Sequence, residues 1–211
     1  MKKRLLFATA ITLMAAPGIA KADLIGVTGF SGGTPFQSYS GFPDTVGFRF
    51  TPKVAISITA LGMFDASAYS HPLTQSHSVG LWDASGNLLA SATVTTSDPE
   101  VSNFYYDAIT PVALTANATY TIGALLPSPL TDYYLSSVSN LTTSSDITFN
   151  GAAVHSDSDS LTDPTTTSVT VGRFGPNFEF VAGTVDAPEP TSMLLFGTGL
   201  TGLRLVRRRR S

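Results

Sequence analysis

The chain's three histidines, His71, His77 and His155, lie far apart, and none sits in an HExxH or comparable metal frame. A Ser-His-Asp triad would have to assemble from remote segments, and no Gly-x-Ser-x-Gly elbow is present to raise a nucleophile. Single histidines beside turns read as surface residues. Glycoside hydrolysis would need two carboxylates about 5 to 9.5 Å apart. Its candidates are Glu100, beside Pro99, and Glu179, alternating with Phe178 and Phe180, and both read as solvent-facing charge. The densest local chemistry is the tract His155-Ser156-Asp157-Ser158-Asp159-Ser160-Leu161-Thr162-Asp163-Pro164. Asp157, Asp159 and Asp163 are hard oxygen ligands suited to calcium, the one cofactor this pattern implies. The tract lacks the glycine and terminal glutamate of a calcium loop, so a mobile solvated loop is the competing reading.

Aromatic residues offer another chemistry. Tyr105, Tyr106, Tyr133 and Tyr134 form two adjacent pairs, and Phe36, Tyr39 and Trp82 add further rings. In a strand one ring of each pair faces outward, where a flat face can stack on a sugar, which is the carbohydrate-binding reading. Rings covering the edges of a sheet are the alternative. The chain has no cysteine, which removes thiol catalysis, Cys-ligated zinc and haem attachment.

The elements that position these residues are strands. Period-2 and β-branched patterns dominate from Asp23 to Asp186, without a helical stripe. Strands are expected at 24–29, 46–50, 54–64, 78–82, 88–95, 104–109, 119–125, 133–138, 147–149, 168–172 and 177–182, joined by Gly, Pro, Ser, Thr and Asp. The clearest unit is Val79-Gly80-Leu81-Trp82, Asp83-Ala84-Ser85-Gly86-Asn87, then Leu88 to Val94. Asp83 can accept from turn amides while Gly86 or Asn87 adopts a left-handed conformation, closing a hairpin. In the long strand Val54, Ile56 and Ile58 share one face, whereas Leu61 and Met63 fall on the other. Either a bulge resets the phase near Thr59 or both faces are covered. No internal repeat is present. About eleven short strands over 164 residues fit a single all-β sandwich of jelly-roll type.

The two ends differ from this body. Met1-Lys2-Lys3-Arg4, an apolar run from Leu5 to Ala16, Pro17-Gly18 and the small residues Ala20 and Ala22 make a secretory signal peptide over 1–22, cut by signal peptidase after Ala22. At the C-terminus, 187–211 holds Ala187-Pro188-Glu189-Pro190-Thr191, an apolar run from Met193 to Leu203, then Arg204 and the cluster Arg207, Arg208, Arg209 and Arg210. A polar break, a greasy helix and a basic cytoplasmic stop are expected in that order. Met193 to Val206 rises only about 21 Å as a helix against a bilayer core of about 30 Å, so a transient membrane association suits it better than a lasting anchor. The expected architecture is thus a sandwich over 23–186, flanked by a signal helix and a C-terminal hydrophobic helix.

Charge is divided the same way. The whole chain carries −3, but from Asp23 to Asp186 only Arg49, Lys53 and Arg173 oppose 14 carboxylates, a net charge of −11. A body this acidic repels nucleic acid and anionic lipid, which excludes both as its partners.

Pro188-Glu189-Pro190, the segment Leu194-Leu195-Phe196-Gly197-Thr198-Gly199-Leu200 and the arginine cluster together resemble a PEP-CTERM sorting signal. The resemblance implies recognition and processing by an exosortase, a membrane protease and transpeptidase of Gram-negative bacteria that make exopolysaccharide. Arg204 interrupts the apolar run earlier than that pattern usually has it. The stretches Ser76 to Trp82, Pro111 to Leu114 and Thr119 to Ala124 are similar to an uncharacterised β-sandwich module of exported PEP-CTERM proteins. These features imply a non-enzymatic protein of the cell surface or extracellular matrix, with extracellular polysaccharide as its expected contact. A carbohydrate-binding module and a secreted polysaccharide hydrolase are the alternatives.

Overall fold

The computed structural model describes residues 23–38, 41–168 and 173–183, leaving aside the side chains of 152–157 and 167–168. Its strands in chain order are β1 (Leu24–Ile25), β2 (Val27–Phe36), β3 (Asp44–Pro52), β4 (Ile56–Phe64), β5 (His77–Asp83), β6 (Leu88–Val94), β7 (Glu100–Val101), β8 (Phe104–Leu114), β9 (Tyr120–Leu126), β10 (Tyr134–Thr143), β11 (Ile147–Asp157), β12 (Thr166–Ser168), β13 (Arg173–Phe174) and β14 (Pro176–Ala182).

Two large antiparallel sheets carry the fold, one in the order β1-β14-β4-β8-β7 and the other β12-β11-β3-β9-β5-β6. The chain alternates between them, from β3 to β4 to β5 and again from β8 to β9. The quartets β1-β14-β4-β8 and β3-β9-β5-β6 thereby interleave as two Greek keys do in a jelly roll. Between them lies one core, where Phe50 of β3 stacks on Phe178 of β14 with ring centroids 4.5 Å apart. Both rings are fully buried. A third, smaller sheet, β13-β10-β2, adds Leu135, Val138 and Phe174 to the same core.

The phase change in β4 has the bulge as its cause. Pairing with β8 passes from Ile58↔Val112 to Ala60↔Ala108, and pairing with β14 from Ile58↔Phe180 to Ala60↔Glu179, so Thr59 is skipped on both sides. Ile56, Ile58, Leu61 and Met63 are all buried as a result. The strand starts at Ile56, leaving Val54 exposed.

The expected flanking helices require correction. Among the described residues the only helical element is a 3-10 turn at Ser67–Tyr69, and no helix is long and apolar enough to cross a membrane. The segments assigned to the signal helix and the transmembrane helix lie outside the described residues. The expectation of a spanning helix was already strained physically, because the C-terminal apolar run falls about 9 Å short of a bilayer core and contains Arg204.

Candidate functional site

The outer face of the six-stranded sheet carries a row of glycines. Register places Gly47 of β3 opposite Gly123 of β9, and Gly123 opposite Gly80 of β5. Their neighbours Phe48, Ile122, Val79 and Leu81 point into the core, so the row itself faces outward. A Cβ at Gly80 would collide with the Trp82 indole, and one at Gly123 would come within 3.0 Å of Pro164 Cγ. The missing side chains thus leave a trough that the Trp82 indole and Pro164, in the segment after β11, occupy. Pro164 is buried in it. Farther along, the Thr162 amide donates to Thr45 Oγ1 at 3.2 Å and the Ser158 amide to the Pro43 carbonyl at 2.9 Å.

This placement sets Asp163 beside the sheet and creates a cleft of about 390 Å³. Arg49 of β3 and Thr121 of β9 are register partners on its floor, and Asp83 to Gly86 of the β5–β6 turn form one wall. Asp163 and Thr165 form the other. The wall is rigid: Asp83 Oδ1 accepts from the amides of Ser85 at 2.8 Å and Asn87 at 3.0 Å, and Oδ2 accepts from Asn87 Nδ2 at 2.9 Å. Gly86, at φ 80°, supplies the left-handed residue of the turn. The Asn87 side-chain and backbone hydrogen bonds, with that from Ser85, hold the Asp83 carboxyl below its ordinary range. Burial pushes Asp163 upward, the Arg49 guanidinium opposes this and Asp83 adds to it. Asp163 Oδ1 is buried without a hydrogen-bond partner. No ion pair joins Arg49 to Asp163, although the Arg49 charge acts on the Asp163 carboxyl.

A second polar cluster lies inside the protein. His77 Nε2 and Asp132 Oδ2 are 2.8 Å apart, with the two side chains 0% and 1% exposed. His77 Nδ1 is 2.8 Å from the Leu125 carbonyl, which can only accept. Asp132 also accepts from the Thr74 amide and hydroxyl and from the Gln75 amide at 2.9, 2.6 and 3.0 Å. Burial alone would raise the Asp132 carboxyl, but the hydrogen bonds from His77, Thr74 and Gln75 outweigh it and hold the group low. Both imidazole nitrogens are engaged, so neither is left to take a proton from a nucleophile. The pair ties the start of β5 to the segment before β10.

The profile described as "Domain of unknown function (DUF4082)" matches residues 33–172, about two thirds of the chain. The chain belongs to the DUF4082 family. A second profile, the PEP-CTERM protein-sorting motif, matches residues 186–210. No curated protein matches the chain. No solved structure matches it either. The DUF4082 match stops short of β14, yet β14 joins β1 to β4 at the centre of one sheet, so this domain needs residues on both sides of the matched span. The PEP-CTERM motif marks the chain as an exported passenger routed to the cell surface through exosortase processing.

Within the DUF4082 domain the sequence-derived candidates separate. His77, read as a surface residue, is fully buried, because it shares the inward phase of Val79 and Leu81 in β5. His71 stacks on Tyr133 with centroids 3.9 Å apart. His155 pairs through its backbone with Val46, and its side chain lies outside the described residues. Glu179 on β14 and Glu100 on β7 are separated by β4 and β8, about 14 Å of sheet, too far for one hydrolytic site. Tyr106 and Tyr134 are buried, and Tyr105 and Tyr133 are half-buried and pack in part against the core.

The calcium candidates are not brought together among the described residues. Asp159 is exposed, Asp163 turns to the Arg49 cleft, and the Asp157 side chain lies outside the described residues. No group of three or more His, Asp or Glu side chains suited to a metal is found among the described residues. Ala20, Ala22, Pro188, Glu189, Pro190 and Arg207, Arg208, Arg209 and Arg210 also lie outside them. Sequence reasoning missed Arg49 and Thr121 as site residues. The signal available was Arg49 alternating with Phe48 and Phe50, an isolated cation on the outer face of a strand in an acidic body.

Proposed function

We propose that the DUF4082 domain is a non-enzymatic passenger of the cell surface or extracellular matrix, whose contact there is extracellular polysaccharide. The observation that carries this reading is the sorting motif at 186–210, which follows closely on β14, the strand that completes the sandwich at Ala182. A label placed directly behind a finished domain delivers that domain as cargo. On this reading residues 1–22 direct export and are cut by signal peptidase after Ala22, and the tail associates with the inner membrane transiently before exosortase acts at Pro188-Glu189-Pro190.

Support for a non-catalytic role comes from His77, whose ring nitrogens are both occupied, and from the separation of Glu100 and Glu179. The charge of −11 over 23–186 suits a soluble protein among neutral or hydrated polymers and disfavours nucleic acid. The test replaces Pro188, Glu189 and Pro190 together by alanine and follows the protein by fractionation. Retention in the cell envelope, with loss from the surface and matrix fractions, is expected. Unchanged delivery would refute the assignment of sorting to this motif.

A further inference from the structure

We propose that the cleft formed by Arg49, Thr121, Asp83, Ser85, Asp163 and Thr165 is a binding site for a neutral hexose unit of a polysaccharide, held by hydrogen bonds rather than ring stacking. This deepens the matrix reading above and rests on it. The volume of about 390 Å³ lies in the range of small-ligand sites, at its lower end.

The chemistry selects the ligand class. Arg49 brings only donors, and among the described residues its guanidinium makes no hydrogen bond of its own. Asp163 brings a carboxylate, an acceptor, to the opposite side of the cleft. The two face the same space without forming an ion pair, so the gap between them is one a bridging group fills. A sugar hydroxyl both donates and accepts, and adjacent hydroxyls on one ring satisfy a guanidinium and a carboxylate together. The hydroxyls of Thr121, Thr165 and Ser85 extend the polar lining.

Charge excludes the obvious alternatives. Two carboxylates beside one guanidinium give the cleft a net charge of −1, which repels a phosphate or a uronate. A divalent cation would find Arg49 in the way and both Asp83 oxygens already accepting hydrogen bonds from the turn. Among the described residues no aromatic ring lines the cleft, because Trp82 lies over Gly80. The site is also built before any ligand arrives, with its walls fixed by the Asp83 turn and by Pro164 on the glycine trough.

The test titrates the exported protein by calorimetry with maltohexaose, cellohexaose and mannohexaose, using hexagalacturonate as the anionic comparison. Saturable binding of at least one neutral hexasaccharide is expected, weakened at least tenfold in Arg49→Gln and about threefold in Thr121→Val. Both variants should keep the wild-type melting temperature within about 3 °C, since each side chain sits on the outer face. Silence toward all three neutral sugars, binding of hexagalacturonate alone, or full affinity in both variants overturns the proposal. Matrix fractionation separates the two levels. A sugar-silent protein that still partitions into the matrix defeats the cleft assignment alone, whereas absence of the wild type from the matrix defeats the underlying reading.

Discussion

His77 and Asp132, separated by 55 positions in the chain, share a hydrogen bond of 2.8 Å in a region that solvent does not reach. The other imidazole nitrogen lies 2.8 Å from the Leu125 carbonyl, and Asp132 accepts from the Thr74 and Gln75 amides. His77→Ala leaves that carboxylate without its partner inside the fold. Breaking a buried pair from one side costs about 3 kcal/mol. Urea unfolding monitored by Trp82 fluorescence is expected to show that loss, and a change below about 0.5 kcal/mol would mean that the pair is solvated.

Acid should act through the same pair. The folded Asp132 carboxyl lies below its reference value of 3.8, so its stabilisation is complete above that pH and is lost as pH falls through the folded value. Asp132→Asn removes this contribution. The stability difference between wild type and variant is expected to shrink as pH falls below 3.8, with melting temperatures at matched ionic strength as the readout. A difference that widens in acid would reverse the sign and contradict the hydrogen-bond network.

The inter-sheet contact of Phe50 with Phe178 predicts the cost of opening the core. Both rings are 0% exposed and stack at 4.5 Å. Phe178→Ala removes a fully buried aromatic and is expected to destabilise by about 3 to 5 kcal/mol, whereas Phe178→Leu should recover more than half. Equal losses for both would show that the site depends on something other than buried volume.

The glycine trough makes a local prediction. An alanine at Gly123 would place its Cβ 2.9 Å from Thr45 Cγ2 and 3.0 Å from Pro164 Cγ. Gly123→Ala is expected to cost about 1 to 3 kcal/mol by overpacking and to lift the 158–165 segment from the sheet. Limited proteolysis should then cut within that segment faster than in the wild type. Unchanged cutting with unchanged stability would show that Pro164 does not depend on the trough.

Much of the central sandwich was legible because its signals are local. The switch of phase between Ile58 and Leu61 marks the bulge at Thr59, and Asp83 with Gly86 marks the β5–β6 turn. His77 was misread because proximity to a turn outweighed its period-2 agreement with Val79 and Leu81. The third sheet was hidden: β2 contains Gly29, Gly32, Gly33 and Pro35, residues that argue against a strand interior, and Gly32 and Gly33 take positive φ. Its partner β10 carries positive φ at Ser137 and Asn140, and the pairing shifts register between Ser139 and Thr142. The cleft was illegible for a different reason. It depends on Gly47, Gly123 and Gly80 falling in one row, which only the register of three separated strands creates. The tract read for calcium also delivers Asp163 toward Arg49, a placement fixed by Pro164 on that row.

The motif at 186–210 and the domain it follows meet in one measurement: the intact mass of the exported protein from cells with and without the exosortase. With the enzyme present, the account predicts a species that begins at Asp23 and has lost the residues beyond the Pro188-Glu189-Pro190 motif. Without the enzyme it predicts a species that retains them through Ser211. An identical mass in both strains would contradict it.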